Sequence, residues 1–202
     1  MSSLQCASTL VLARPGEAEH EAGTWSAEGG SLTGLGRRQA AGLADRLASR
    51  RIAHVWTSTS ARAVGTAEIA AARLGVSVTT HPALVEPGTG ELERRPRDTD
   101  ARAATYAAWL AGDLDQRLAG GESGAEVVSR VRGALDEIAD AHRGETVLVV
   151  SNSGALRLSV PLLAQLDVTP SRLAHCSTIE VVIDDDDRVC RLWDTPGDTT
   201  GT

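Results

Sequence analysis

The chain has 202 residues, 42% hydrophobic and 23% charged, the balance of one soluble globular domain able to bury roughly 70% of its unfolded surface. A net charge of −7 speaks against a nucleic-acid backbone or an anionic membrane as partner, and no apolar run is long enough to span a bilayer. The 3 cysteines, Cys6, Cys176 and Cys190, are odd in number and widely spaced, which argues against a disulfide framework or a paired zinc site, and the absence of lysine excludes Schiff-base catalysis.

Met1 to Thr9 has neither the basic nor the long apolar region of a signal peptide, so a cytoplasmic location is expected. Ser8 to Ala13 is a short apolar run stopped by Arg14-Pro15-Gly16, a buried strand ending in a turn, and function gathers at such strand ends. A Gly- and Ser-rich stretch, Glu21 to Leu32, leads to Thr33, a good N-cap, and a helix running to about Arg50. Ile52 to Thr57 reads as the second strand, Ser60 as the cap of a small-residue helix stopped by Gly75, and Val76 to Thr80 as the third strand. His81 to Thr99 shows no period and reads as a long connection.

A helix over about Ala101 to Ala111 and the turn Gly120-Gly121 precede Ser123, which begins an amphipathic helix with Val127, Val131, Leu135 and Ile138 at helical spacing and Gly144 as its stop. Thr146 to Val150 is nearly uninterrupted in its apolar character, as a doubly covered parallel strand is, and it runs into Ser151-Asn152-Ser153-Gly154 and another helix. Thr178 to Ile183 and Arg188 to Trp193, around the acidic turn Asp184 to Asp187, read as a hairpin at a sheet edge. This alternation predicts an α/β fold, a three-layer α/β/α sandwich with a mostly parallel central sheet, in one domain over residues 1–195 with a polar tail at 196–202. The C-terminal ends of the first and fourth strands are expected side by side, so that Arg14 to Glu17 and Ser151 to Gly154 share one crevice.

Several blocks then fall in a telling order. Leu10-Val11-Leu12-Ala13-Arg14-Pro15-Gly16-Glu17 has the frame of an Arg-His-Gly-Glu motif, and Leu32-Thr33-Gly34-Leu35-Gly36 that of Leu-Thr-x-x-Gly. Thr57-Ser58-Thr59-Ser60-Ala61-Arg62-Ala63, Leu84-Val85-Glu86, Gly121-Glu122-Ser123 and Gly144 to Gly154 follow. Together, over about Ser8 to Val182, they resemble the histidine phosphatase superfamily, also called phosphoglycerate mutase-like. That resemblance implies a phosphoglycerate mutase-like fold in which one histidine takes the phosphoryl group, two arginines and a second histidine hold its oxygens, and an acid protonates the leaving group. It places Arg14 and Arg62 as the clamping arginines, Glu86 as the acid, and Pro15 and Asn152 where the two histidines stand in the family.

The proline nitrogen is an amide nitrogen in the chain and cannot accept a phosphoryl group. Asn152 brings hydrogen bonds but no charge, and Ser153 follows it where relatives have glycine. Glu21 falls where many members have asparagine, and one like-charge pair costs about 4 kcal/mol at about 4 Å and an effective dielectric near 20. Arg14 and Arg62 remain a good receptor for carboxylate, sulfate or phosphate, with ion pairs to Glu17, Glu21 or Glu86 as the plainer alternative. Ser151, Asn152 and Ser153 suit binding at the same crevice.

His175, at the start of the closing strand, is the best candidate for a base, against a plain strand-edge role, and His20 lies either at the crevice mouth or on the surface. His54, His81 and His142 suggest ordinary packing or helix-end charge complementarity, and none pairs with another at metal-ligand spacing, so neither metal nor cofactor is expected. Trp25 could cover a ligand, while Trp56, Trp109 and Trp193 suit core or rim positions. The expected function is that of a degenerate histidine phosphatase-like protein without phosphoryl transfer, whose arginine-lined pocket takes a small anionic metabolite or serves a protein partner, as a monomer or a homodimer. The alternatives are acid/base chemistry by Glu86 or His175 on a small carboxylate-bearing metabolite, or a weak residual phosphatase.

Overall fold

A computed structural model describes residues 6–19, 30–95, 101–166, 173–185 and 187–194, with side chains except at 101 and 192–194. His20, Glu21 and Trp25 lie outside the described residues, as does the side chain of Trp193. The elements in chain order are β1 (Ser8–Ala13), α1 (Gly34–Leu47), β2 (Ile52–Thr57), α2 (Ala61–Leu74), β3 (Val78–Thr80), α3 (Ala101–Leu110), α4 (Gly124–Ala141), β4 (Thr146–Val150), α5 (Ser153–Leu163), β5 (Thr178–Asp184) and β6 (Asp187–Asp194). One sheet runs in the order β3-β2-β4-β1-β5-β6. The pairs β3/β2, β2/β4 and β4/β1 are parallel, whereas β1/β5 and β5/β6 are antiparallel. The mostly parallel α/β/α sandwich and the C-terminal edge hairpin are both present.

The two central strands show why the sequence has to be sandwiched. Successive side chains of a strand point to opposite faces. Leu10, Leu12, Val147 and Val149 accordingly pack on one face with Val127, Val131, Leu135 and Ile138 of α4, Leu156 of α5 and Trp109 of α3. Val11, Ala13, Leu148 and Val150 pack on the other with Leu43 and Ala44 of α1 and Ala63, Ala67 and Ala70 of α2. Both faces of these strands are apolar, and each needs its own helical cover. Among the described residues no helix is long and apolar enough to cross a membrane.

Local chemistry sets most of the boundaries. Thr33 caps α1, its hydroxyl accepting from the Gly36 N–H at 3.0 Å, and the helix tightens into a 3-10 turn over Ala48–Arg50. Ser123 and Glu126 form a reciprocal capping box on α4. Gly75, at φ 72°, terminates α2.

Three expectations need correction, and the connection after His81 gains detail. The third strand begins at Val78 and not at Val76, because the Val76 N–H is spent on the Ala71 carbonyl, closing α2. α4 ends at Ala141 with His142 as its cap, whereas Gly144, at φ 77°, turns the chain into β4 and gives its N–H to Cys6. The stretch from His81 contains two 3-10 turns, Pro82–Leu84 and Gly90–Leu92. Ser60 occupies the N-cap of α2 without a side-chain capping bond.

Candidate functional site

The site is assembled where β1, β2 and β4 end together. Ala13 pairs with Val150 and Thr57 with Val150 in the parallel ladders, and the Ser151 and Ser58 N–H groups continue them onto Ala13 and Val150 carbonyls. The loops after the three strands therefore open on the same side, the usual ligand edge of such a sheet.

The β1 exit is pinned from two directions. Arg14 exchanges backbone hydrogen bonds with the segment before β5, its N–H donating to Ser177 O at 3.2 Å and its carbonyl accepting from Cys176 N at 3.1 Å. Pro15 and Gly16 are buried. The Gly16 N–H donates to Thr66 Oγ1 at 3.0 Å, and that hydroxyl donates to the Arg62 carbonyl at 2.8 Å, which links the loop to α2. A β-carbon at residue 16 would lie 2.6 Å from Gly36 O, so this close backbone crossing admits only glycine.

Arg14 and His175 meet at this exit. Arg14 Nη1 donates to Leu173 O at 2.5 Å, Nη2 lies 3.3 Å from His175 Nε2, and His175 Nδ1 lies 3.1 Å from the Pro15 carbonyl. Glu17 turns elsewhere: its carboxylate accepts from the Thr33 hydroxyl at 2.8 Å, and its N–H donates to Gln39 Oε1 at 2.8 Å.

Asn152, the N-cap of α5, is 1% exposed. With its oxygen toward Ser58 and Ser60, its NH₂ group would face the Arg62 guanidinium, donor against donor. The opposite orientation satisfies every partner: Nδ2 donates to Ser58 Oγ at 3.0 Å and Ser60 Oγ at 3.3 Å, and Oδ1 accepts from Arg62 Nε at 3.1 Å and from Arg62 Nη2. The amide thus holds the arginine in place and has its own bonding capacity used inside the protein. Ser153 is the half-buried first residue of α5, and Ser151 donates to Leu84 O at 2.7 Å, tying β4 to the Glu86 segment.

Glu86 lies over the first turn of α5. Its Oε2 accepts from the Gly154 N–H at 3.2 Å and its Oε1 from Arg102 Nη2 at 3.3 Å, a charge-assisted pair at the positive end of the helix. Tyr106 of α3 donates its hydroxyl to the Gly154 carbonyl at 2.8 Å, and Arg157 lies 5.7 Å from the Tyr106 ring centre. Burial, and then the Glu86 charge, push the Tyr106 hydroxyl well above the usual phenol range, so it stays a donor. Arg130 of α4 fastens the whole segment, donating to Ala83 O at 2.7 Å, Val85 O at 3.0 Å and Glu86 O at 3.4 Å while its fork grips Glu122 at 2.6 and 2.9 Å.

Sequence reasoning picked out Arg14, Arg62, Glu86, Asn152 and His175 but passed over Ser58, Ser60, Thr66, Arg102, Tyr106 and Arg130. Ser58 and Ser60 stand inside the block around Arg62, whereas nothing local marked Arg102, Tyr106 or Arg130. The other described histidines gather elsewhere. His142 stacks on His54 with ring centres 5.4 Å apart, accepts from Trp56 Nε1 at 3.0 Å and donates to Glu145 at 2.8 Å, while His81 Nδ1 accepts from the Ala83 N–H at 3.1 Å.

The chain matches the histidine phosphatase superfamily (branch 1) over residues 10–196. It is 34% identical over 175 residues to a probable phosphoglycerate mutase GpmB of Yersinia enterocolitica, covering 83% of this chain and 81% of that one. Among solved structures it is similar to Bacillus stearothermophilus YhfR, at 25% identity and a TM-score of 0.75 over 92% of this chain and 96% of the other. It shares its fold with the mycobacterial glucosyl-3-phosphoglycerate phosphatase Rv2419c, at 23% identity and a TM-score of 0.76 over 93% and 99% of the two chains. With the family match spanning residues 10–196 and a relative 34% identical over most of both chains, this chain belongs to the histidine phosphatase superfamily.

Proposed function

We propose that this chain binds a small anionic metabolite in the crevice between Arg14 and Arg62 and transfers no phosphoryl group to its own side chains. The observation that carries this reading is Pro15. It is the buried residue directly after Arg14 at the β1 exit, the position of the nucleophilic histidine in the resemblance, and its nitrogen is bonded into the backbone with no lone pair to offer. Asn152, at the position of the second histidine, has its amide engaged by Arg62, Ser58 and Ser60. A fixed, hydrogen-bonded guanidinium is well suited to an oxyanion because little freedom is lost when the ligand arrives. The likeness to a probable phosphoglycerate mutase favours a phosphate- or carboxylate-bearing ligand.

Two assays on the full chain test this. Hydrolysis of an aryl phosphate is expected at the level of the uncatalysed blank; turnover that falls in Glu86→Gln overturns the reading. Inorganic phosphate or sulfate is expected to raise the unfolding temperature, an effect lost in Arg62→Ala. No shift with any anion or metabolite points instead to a protein partner.

A further inference from the structure

We infer that His175 completes this site as a proton-dependent cation, so that the anion is taken up together with a proton. The inference rests on the anion-binding reading above and adds a third contact and a chemical condition to it. The Pro15 carbonyl can only accept, so His175 Nδ1, 3.1 Å away, carries a hydrogen. In the neutral ring Nε2 then keeps its lone pair, and it faces Arg14 Nη2 at 3.3 Å as an acceptor. Proline fixes the local backbone, and Arg14 is tied to this same segment through Leu173, Cys176 and Ser177. Guanidinium and imidazole are thus held within hydrogen-bond reach of each other by the backbone.

Adding a proton to Nε2 turns that acceptor into a second donor beside a permanent cation. Without a ligand the two charges repel. An oxyanion with two acceptor oxygens removes the repulsion by receiving one hydrogen bond from each, so the occupied site holds the proton more tightly than the empty one. Linkage then requires the reverse: protonation raises affinity for the anion. The ligand class is a sulfate, phosphomonoester or carboxylate able to span Arg14 and His175. Arg46 of α1 is a further charged neighbour among the described residues, donating to the Cys176 carbonyl at 2.6 Å. The adjoining Cys176 thiol is pushed up to about 12 by burial and stays uncharged in this range.

Sulfate is the probe, because it does not itself titrate across about pH 5.5 to 8, where imidazoles change charge. Calorimetry of sulfate binding to the full chain, in two buffers of different protonation enthalpy, is expected to show proton uptake. Affinity is expected to rise on acidification by up to about tenfold per pH unit, the limit for one proton. His175→Gln is expected to bind sulfate with a flat pH profile. Sulfate binding without proton uptake overturns the inference and leaves the anion site standing, and so does a pH slope that survives in His175→Gln. No binding of sulfate or phosphate at any pH overturns both. If the variant does not fold, ring-nitrogen NMR of the wild type identifies the histidine that takes the proton, and a sulfate-dependent change at any imidazole other than His175 counts against the inference.

Discussion

Arg62, on the first turn of α2, and Asn152, at the N-cap of α5, meet across the top of the sheet, the amide oxygen accepting from Nε and Nη2 of the guanidinium. The two helices cover opposite faces, so this contact joins the two outer layers over the strand ends. It also sets the direction in which Arg62 presents its charge.

Asn152→Ala leaves two buried serine hydroxyls and one guanidinium short of a partner. A loss of about 2 kcal/mol in unfolding free energy is expected, read by urea denaturation. In a double-mutant cycle with Arg62→Ala, coupling of about 1 kcal/mol or more is expected, and additivity would show that the contact carries no energy.

Gly154→Ala tests the perch of Glu86. A β-carbon at 154 collides with Glu86 Oε1, which can swing away only by giving up the Gly154 N–H and Arg102. Losing hydrogen bonds to a charged group costs about 1.5–3 kcal/mol, more than the roughly 1 kcal/mol an alanine gains over glycine in a helix. The substitution is expected to lower the unfolding temperature in the wild type and to become neutral or stabilising in a Glu86→Ala background.

Arg130→Leu removes the fork that gathers the Ala83, Val85 and Glu86 carbonyls and Glu122. About 3 kcal/mol of stability is expected to go, since a buried charge network loses its centre. Hydrogen exchange at residues 83–88 is expected to rise even where the sheet amides stay protected.

Acid lability has a specific source in His54. Burial first, and then the charge of His142, hold its imidazole below the usual 6.5, against a smaller upward pull from Glu145. The unfolded chain therefore takes up this proton more readily than the folded one, and stability rises with pH in that window. The contribution is complete above 6.5 and is lost as pH falls from there through the lowered folded value. His54→Asn is expected to give a shallower dependence of the urea midpoint on pH between about 7 and 5.

Much of the scaffold was legible because it is written locally. The apolar run Thr146 to Val150, the Thr33 cap and the Gly75 stop are each decided by neighbours within a few residues. Ser60 shows where local reading ends. Its identity and position suit a cap, but its hydroxyl is drawn to Asn152, a partner that only the tertiary fold supplies. The same holds for Glu86: the resemblance marked the residue, yet Arg102, Gly154 and Arg130 reach its segment from three different helices. That the loops after β1, β2 and β4 leave the same edge of the sheet could be read from strand order, whereas their wiring depends on contacts between residues far apart in sequence.

Ser58, Ser60 and Arg62 all bond to the one amide of Asn152, and this shapes how the protein can drift over generations. A change at Asn152 takes a partner from all three at once, so a replacement that persists there comes with compensating changes. Introducing an imidazole at residue 152 alone meets that barrier, and the route toward a histidine-bearing site passes through the serines as well.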